Sequence, residues 1–146
     1  LVERFYGAVR DDALLGPIFE SHVADWTPHL ARMKDFWASV TLESGRFRGN
    51  PMLKHIAIGG LDAVHFDRWL LLWNRTLDSV APGEAAAEVF RAAADRIAAS
   101  LLMGIKVQRR WPCWRSSPAP LPPSWPSSDE RCLATCRALW CVTDIR

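Results

Sequence analysis

Leu1, Val2, Phe5, Tyr6 and Val9 recur at helical spacing through "LVERFYGAVR", and Gly16–Pro17 then break the pattern, so that "GPIF" predicts a short turn or 3₁₀ corner around Phe19. A second helix is predicted from Asp25, a suitable N-cap, with Pro28 tolerated in the first turn. His29, Met33, Phe36, Trp37 and Val40 follow within an arc of about 100°, a single face. "ESGRFRGN" reads as a loop, and "NPMLKHIAIGG" as a very short helix capped by Asn50, opened by Pro51 and ended by Gly59 and Gly60. Asp62 can cap a long amphipathic helix carrying Val64, Phe66, Trp69, Leu70, Trp73, Leu77 and Val80, which Pro82 and Gly83 break. Val89, Phe90, Ala93, Ile97 and Leu101 line one side of the last helix. Strand-type alternation is absent from this body, so the expected class is all-α, with four main helices in two antiparallel pairs.

At Lys106 the character of the chain changes. Residues 106–146 hold all four cysteines, six of the ten prolines and four of the eight tryptophans, the last without helical period. The chain has 146 residues, and its net charge of +2 comes from this stretch: residues 1–105 carry 13 acidic against 11 basic side chains. The basic balance therefore describes a tail and gives no nucleic-acid signal. The expected organisation is one domain over residues 1–105 and an unstructured or non-native tail over 106–146, with a mis-joined reading frame as one source of such composition. The spacing Cys132-x₃-Cys136-x₄-Cys141 fits no standard zinc pattern, so free cysteines are expected. No apolar run is long enough for a transmembrane helix. The expected location is the cytoplasm, with no membrane or nucleic-acid partner and a monomeric state.

Candidate chemistry rests on two histidines. His29 opens the apolar face of the second helix, and His55 lies on the short one. Around them stand Phe19, Met33, Phe36, Trp37, Met52 and Trp69. A flat apolar slot with a histidine on either side suits a haem, whose iron takes a neutral imidazole. The same spacing also serves a plain helical core. No phosphate-cradling glycine loop, H-E-x-x-H or G-x-S-x-G motif competes. Glu3, Asp11, Asp12 and Glu20 read as solvated surface carboxylates, His22 as a loop residue and His65 as structural or exposed.

The segments "RFYGAVRDDALLGPIF", "DWTPHLARMKDFWASV", "GNPMLKHI" and "HFDRWLLLWNRTL" stand in an order and spacing that resemble the group III truncated haemoglobins, over residues 1 to about 105. The resemblance implies a two-over-two globin fold, with helices B, E, G and H around haem b (iron protoporphyrin IX) and the F helix reduced to a short piece. It implies His55 as proximal iron ligand. Tyr6, the chain's one tyrosine, and Trp69 become distal donors, and His29 matches the distal gate position. Phe19, Phe36 and Trp37 match haem-packing positions, and Met33 and Met52 join them as cofactor contacts. Two departures stand out. Phe47 replaces a tyrosine common in the family, and the sequence starts at the B helix, so most of the A helix is expected to be missing.

The implied function is binding of dioxygen, nitric oxide and carbon monoxide. A phenol and an indole N–H aimed at a polarised ligand slow its release, which argues against simple oxygen delivery. The alternative is a haem enzyme of nitric-oxide dioxygenase or peroxidase type. The sequence shows no reductase domain, so such an enzyme would need an external reductase. A cofactor-free helical interaction module is the remaining reading.

Overall fold

The computed structural model describes residues 1–80 and 83–110. The described residues form six helices and no strand: α1 Val2–Arg10, α2 Gly16–His22, α3 Trp26–Leu42, α4 Pro51–Ala57, α5 Ala63–Val80 and α6 Glu84–Arg110. Leu1–Val107 make one compact unit. The expectations for Pro82, for the cysteines and for the tail beyond Arg110 lie outside the described residues. Helix α6 continues past the boundary read at residue 105, and its last turn carries Arg109 and Arg110, cations that favour a helix C-terminus.

Local signals account for most boundaries. The Asp25 carboxylate accepts the Thr27 N–H at 2.9 Å, the N-cap expected of α3. Asn50 accepts the Leu53 N–H at 3.1 Å and Pro51 occupies the first turn of α4. The Asp62 carboxylate accepts the Val64 N–H at 3.2 Å ahead of α5. Between α3 and α4 the chain lacks regular structure but is tied down. The Ser39 hydroxyl accepts the Phe47 N–H at 2.9 Å, and Phe47 packs edge-on against Phe36 with ring centres 5.0 Å apart.

Three readings of the α1–α2 region are corrected. "GPIF" opens a helix rather than a turn, because Pro17 suits a first turn and backbone bonds continue from Leu15 to Phe19. His22 accordingly ends α2 and is not in a loop. Asp12 is not a solvated carboxylate but a buried one, with its side chain only 3% exposed. One oxygen accepts the N–H groups of Leu14 and Leu15, both at 3.0 Å, in an Asx turn. The other accepts the Arg68 guanidinium through Nε and Nη2, both at 2.6 Å. Burial would raise the Asp12 pKa. The Leu15 N–H, the Arg68 guanidinium and the Leu14 N–H outweigh it and hold the group below its ordinary value. Gly16 completes the corner, since a Cβ there would lie 2.6 Å from the Arg10 carbonyl oxygen.

Asp12→Ala strands two backbone donors and one face of Arg68, a cation that still reaches water. The expected cost is about 2 kcal/mol, a fall in melting temperature on the order of 10 °C. In the wild type this contribution is present above the unfolded carboxylate pKa and lost as pH falls through the lower folded value. Thermal melts of wild type and variant should therefore converge in acid. A constant gap across pH would show that the charge of Asp12 contributes nothing.

The core has two clusters. The first joins α1, α3, α5 and α6 through Phe5, Tyr6, Val9, Trp37, Trp73, Leu77 and Ala94. Trp37 stacks on Trp73 at 4.1 Å with the planes 17° apart, and Trp69 lies parallel to Trp73 at 5.6 Å and 5°. The second cluster holds Leu61, Phe66, Ala98, Leu101 and Ile105, with Met52 and Ile56 of α4 packed on it. Leu70 and Ile97 pack against both clusters. No residue of α4 is fully buried, and seven residues are too few for a stable isolated helix, so α4 depends on this docking.

Candidate functional site

Helix α1 places Tyr6 with 5% of its surface exposed, in the first cluster. Burial pushes its phenol pKa upward, so the group stays an O–H donor. The hydroxyl has no hydrogen-bond partner among the described residues. His29, one turn into α3, stands edge-on to Tyr6 with ring centres 5.3 Å apart at 89°. Its Nε2 is buried and has no hydrogen-bond partner among the described residues. Burial first, and the nearby Arg32 cation second, lower the His29 pKa, so the imidazole is held neutral. Phe19 closes the group, with its ring centre 5.8 Å from that of Tyr6.

Trp69 joins the same assembly through Phe5, whose ring lies 5.0 Å from Tyr6 and 5.3 Å from Trp69, edge-on to both. The Trp69 indole N–H has no partner among the described residues. The structure thus gathers Tyr6, Phe19, His29 and Trp69 in one aromatic cluster. Met33 and Phe36 pack at its margin, partly buried. Trp37 is 3% exposed and lies in the indole stack against Trp69 and Trp73.

Met52 packs on the second cluster, and His55 lies on the same short helix. On α4, His55 is partly buried and its Nδ1 lies 2.8 Å from the Pro51 carbonyl oxygen. A carbonyl only accepts, so Nδ1 carries the proton and Nε2 keeps its lone pair. Burial lowers the His55 pKa, against the opposing pull of the Pro51 bond, and this too favours neutral imidazole. A protonated Nδ1 fixed by a backbone carbonyl is the usual support for a metal-binding Nε2. Met52 sits where a Cβ on Gly104 of α6 would collide with it, so the glycine makes the seat for α4. For Gly104→Ala, the gain in helix propensity and the displaced Met52 oppose each other, which leaves global stability within about 1 kcal/mol. Faster amide exchange across Leu53 to Ile56 is expected in that variant. Unchanged exchange would show that α4 does not depend on the seat.

Sequence reasoning missed Trp26. It contacts Tyr6, Phe19 and His29 with ring centres 6.3, 6.4 and 5.6 Å away, and Arg10 covers it at 4.9 Å. Its place three residues before His29 on one helix was the available signal. Among the described residues no cluster of three or more histidine, cysteine or acidic side chains could hold a bare metal ion. No helix there is long and apolar enough to cross a membrane.

No family model matches the chain. The group 3 truncated haemoglobin ctb of Campylobacter jejuni is 36% identical over 84 residues, covering 55% of this chain and 66% of that protein. The chain thus spans just under two thirds of that relative's length. The crystal structure of a group III truncated haemoglobin from Campylobacter jejuni superimposes with a TM-score of 0.66 at 32% identity, over 71% of this chain and 84% of that one. Likeness in fold and in sequence thus extends over most of a solved relative: the chain belongs to the group III truncated haemoglobins.

Proposed function

We propose that this chain binds haem b with the iron on Nε2 of His55, and takes dioxygen, nitric oxide or carbon monoxide on the side of Tyr6, His29 and Trp69. The observation that carries the reading is the buried, unpartnered Nε2 of His29. A buried polar atom without a hydrogen bond is costly and rare, and here it stands beside a phenol that also lacks a partner among the described residues. Such a pair suits a site whose polar partner is a bound ligand.

When bound, the haem iron supplies the point at which a diatomic gas is held and polarised. The chain's own residues then divide the work. His55 offers a neutral imidazole in a fixed tautomer. Tyr6 would offer its O–H and Trp69 its N–H as donors to a bound ligand, and both rings pack against Phe5. Phe19, Met33 and Phe36 exclude water on the distal side, Trp37 backs Trp69, and Met52 holds α4 to α6. The truncated-haemoglobin family of this chain and of its Campylobacter relative supports the haem assignment.

The test is absorption of the reconstituted full chain in ferric, ferrous and carbonyl forms. A Soret band with a His-ligated ferrous spectrum is expected. Failure to retain haem through gel filtration would remove the reading.

A further inference from the structure

The inward ring of His29 needs a cause. Its unpartnered Nε2 would gain hydrogen bonds by turning to water, yet it stays buried. What confines it is aromatic. The imidazole is wedged edge-on between Tyr6, at 5.3 Å and 89°, and Trp26, at 5.6 Å and 82°. Tyr6 is buried in the core and cannot yield. Trp26 is the movable wall: it is the first residue of α3 and only partly buried.

Trp26 is itself held from two other helices. The Arg10 guanidinium, in the last turn of α1, lies 4.9 Å from the indole centre, a cation–π contact. Phe19 of α2 lies nearly parallel to the indole, 20° apart, with centres 6.4 Å apart. The indole thus stands where α1, α2 and α3 meet. We propose that Trp26, clamped by Arg10, is a latch that holds His29 inward and so sets how fast small ligands enter the distal side. This rests on the haem reading. Arg10 and Trp26 are positioning residues that act through His29.

The latch is tested in the full-length, haem-reconstituted chain with Trp26→Ala, Trp26→Phe and Arg10→Met. Two quantities are read: carbon monoxide association after flash photolysis, and carbethoxylation of His29 by diethyl pyrocarbonate, mapped by mass spectrometry. His22, exposed in α2, is the internal control. Loss of the aromatic contacts should speed both readouts about tenfold or more in Trp26→Ala. Arg10→Met should speed them about threefold, the worth of an exposed cation–π contact, and Trp26→Phe should fall between wild type and Trp26→Ala. Unchanged His29 labelling and unchanged ligand entry, in variants with a normal Soret band, would overturn the latch. If Trp26→Ala does not fold, the two milder variants decide the matter. If even the wild type takes up no haem, the haem reading fails, while the labelling still decides whether Trp26 confines His29.

Discussion

Replacing His55 by alanine is expected to strip the chain of haem. In the proposed reading the iron would sit on Nε2 of this neutral, Nδ1-protonated imidazole, and α4 holds no second histidine to take its place. Even the loss of an outer-shell partner of a metal ligand costs 10–100-fold in affinity, so loss of the ligand itself should cost more than about a hundredfold. In practice, haem should separate from His55→Ala on gel filtration and stay with the wild type. Free imidazole added to His55→Gly should restore the Soret band, because the space and the apolar walls remain. A normal five-coordinate ferrous spectrum in His55→Ala would show that another group holds the iron.

The short helix that carries His55 was legible because its signals are local. Asn50, Pro51 and the Gly59–Gly60 pair lie within a few residues of the element they bound, and Gly60 takes the φ of +82° that favours glycine. Asp25 marked α3 in the same way. Asp12 was not legible, because what buries it is Arg68, which comes 56 residues later in the chain. Polar residue type alone predicts solvent, and only the fold supplies the partner. Periodicity also overstates burial. Val64 and Val89 keep helical spacing but are 55% and 52% exposed, since the apolar stripe is wider than the surface that covers it. Trp26 shows the complementary limit. Its neighbours Arg10 and Phe19 come from two other helices, so its place against His29 depends on a three-helix corner. The family pattern pointed to Tyr6, His29 and Trp69, and the structure gathers these three with Phe19. How Phe5 couples Tyr6 to Trp69 had no sequence signal.

In the proposed site, that coupling should make the effects of Tyr6 and Trp69 on a bound ligand interdependent. Both offer an N–H or O–H without a protein partner among the described residues, and the same Phe5 ring props both. A hydrogen bond to a charge-bearing acceptor is worth about 1.5–3 kcal/mol, so Tyr6→Phe or Trp69→Phe should speed dioxygen dissociation roughly ten- to hundredfold. The double variant should fall short of the product of the two. With one donor gone, the other, or the His29 imidazole, re-aims at the same small ligand. Carbon monoxide is less polarised, so its dissociation should change much less. Stopped-flow dissociation of both gases from wild type, the single variants and the double variant measures the cycle. Equal responses for the two gases would mean that the rings act by obstructing the path and not by donating hydrogen bonds. No response for either gas would place both side chains away from the ligand. Strict multiplicativity for dioxygen alone would mean that each donor serves a separate acceptor, and that Phe5 merely packs between them.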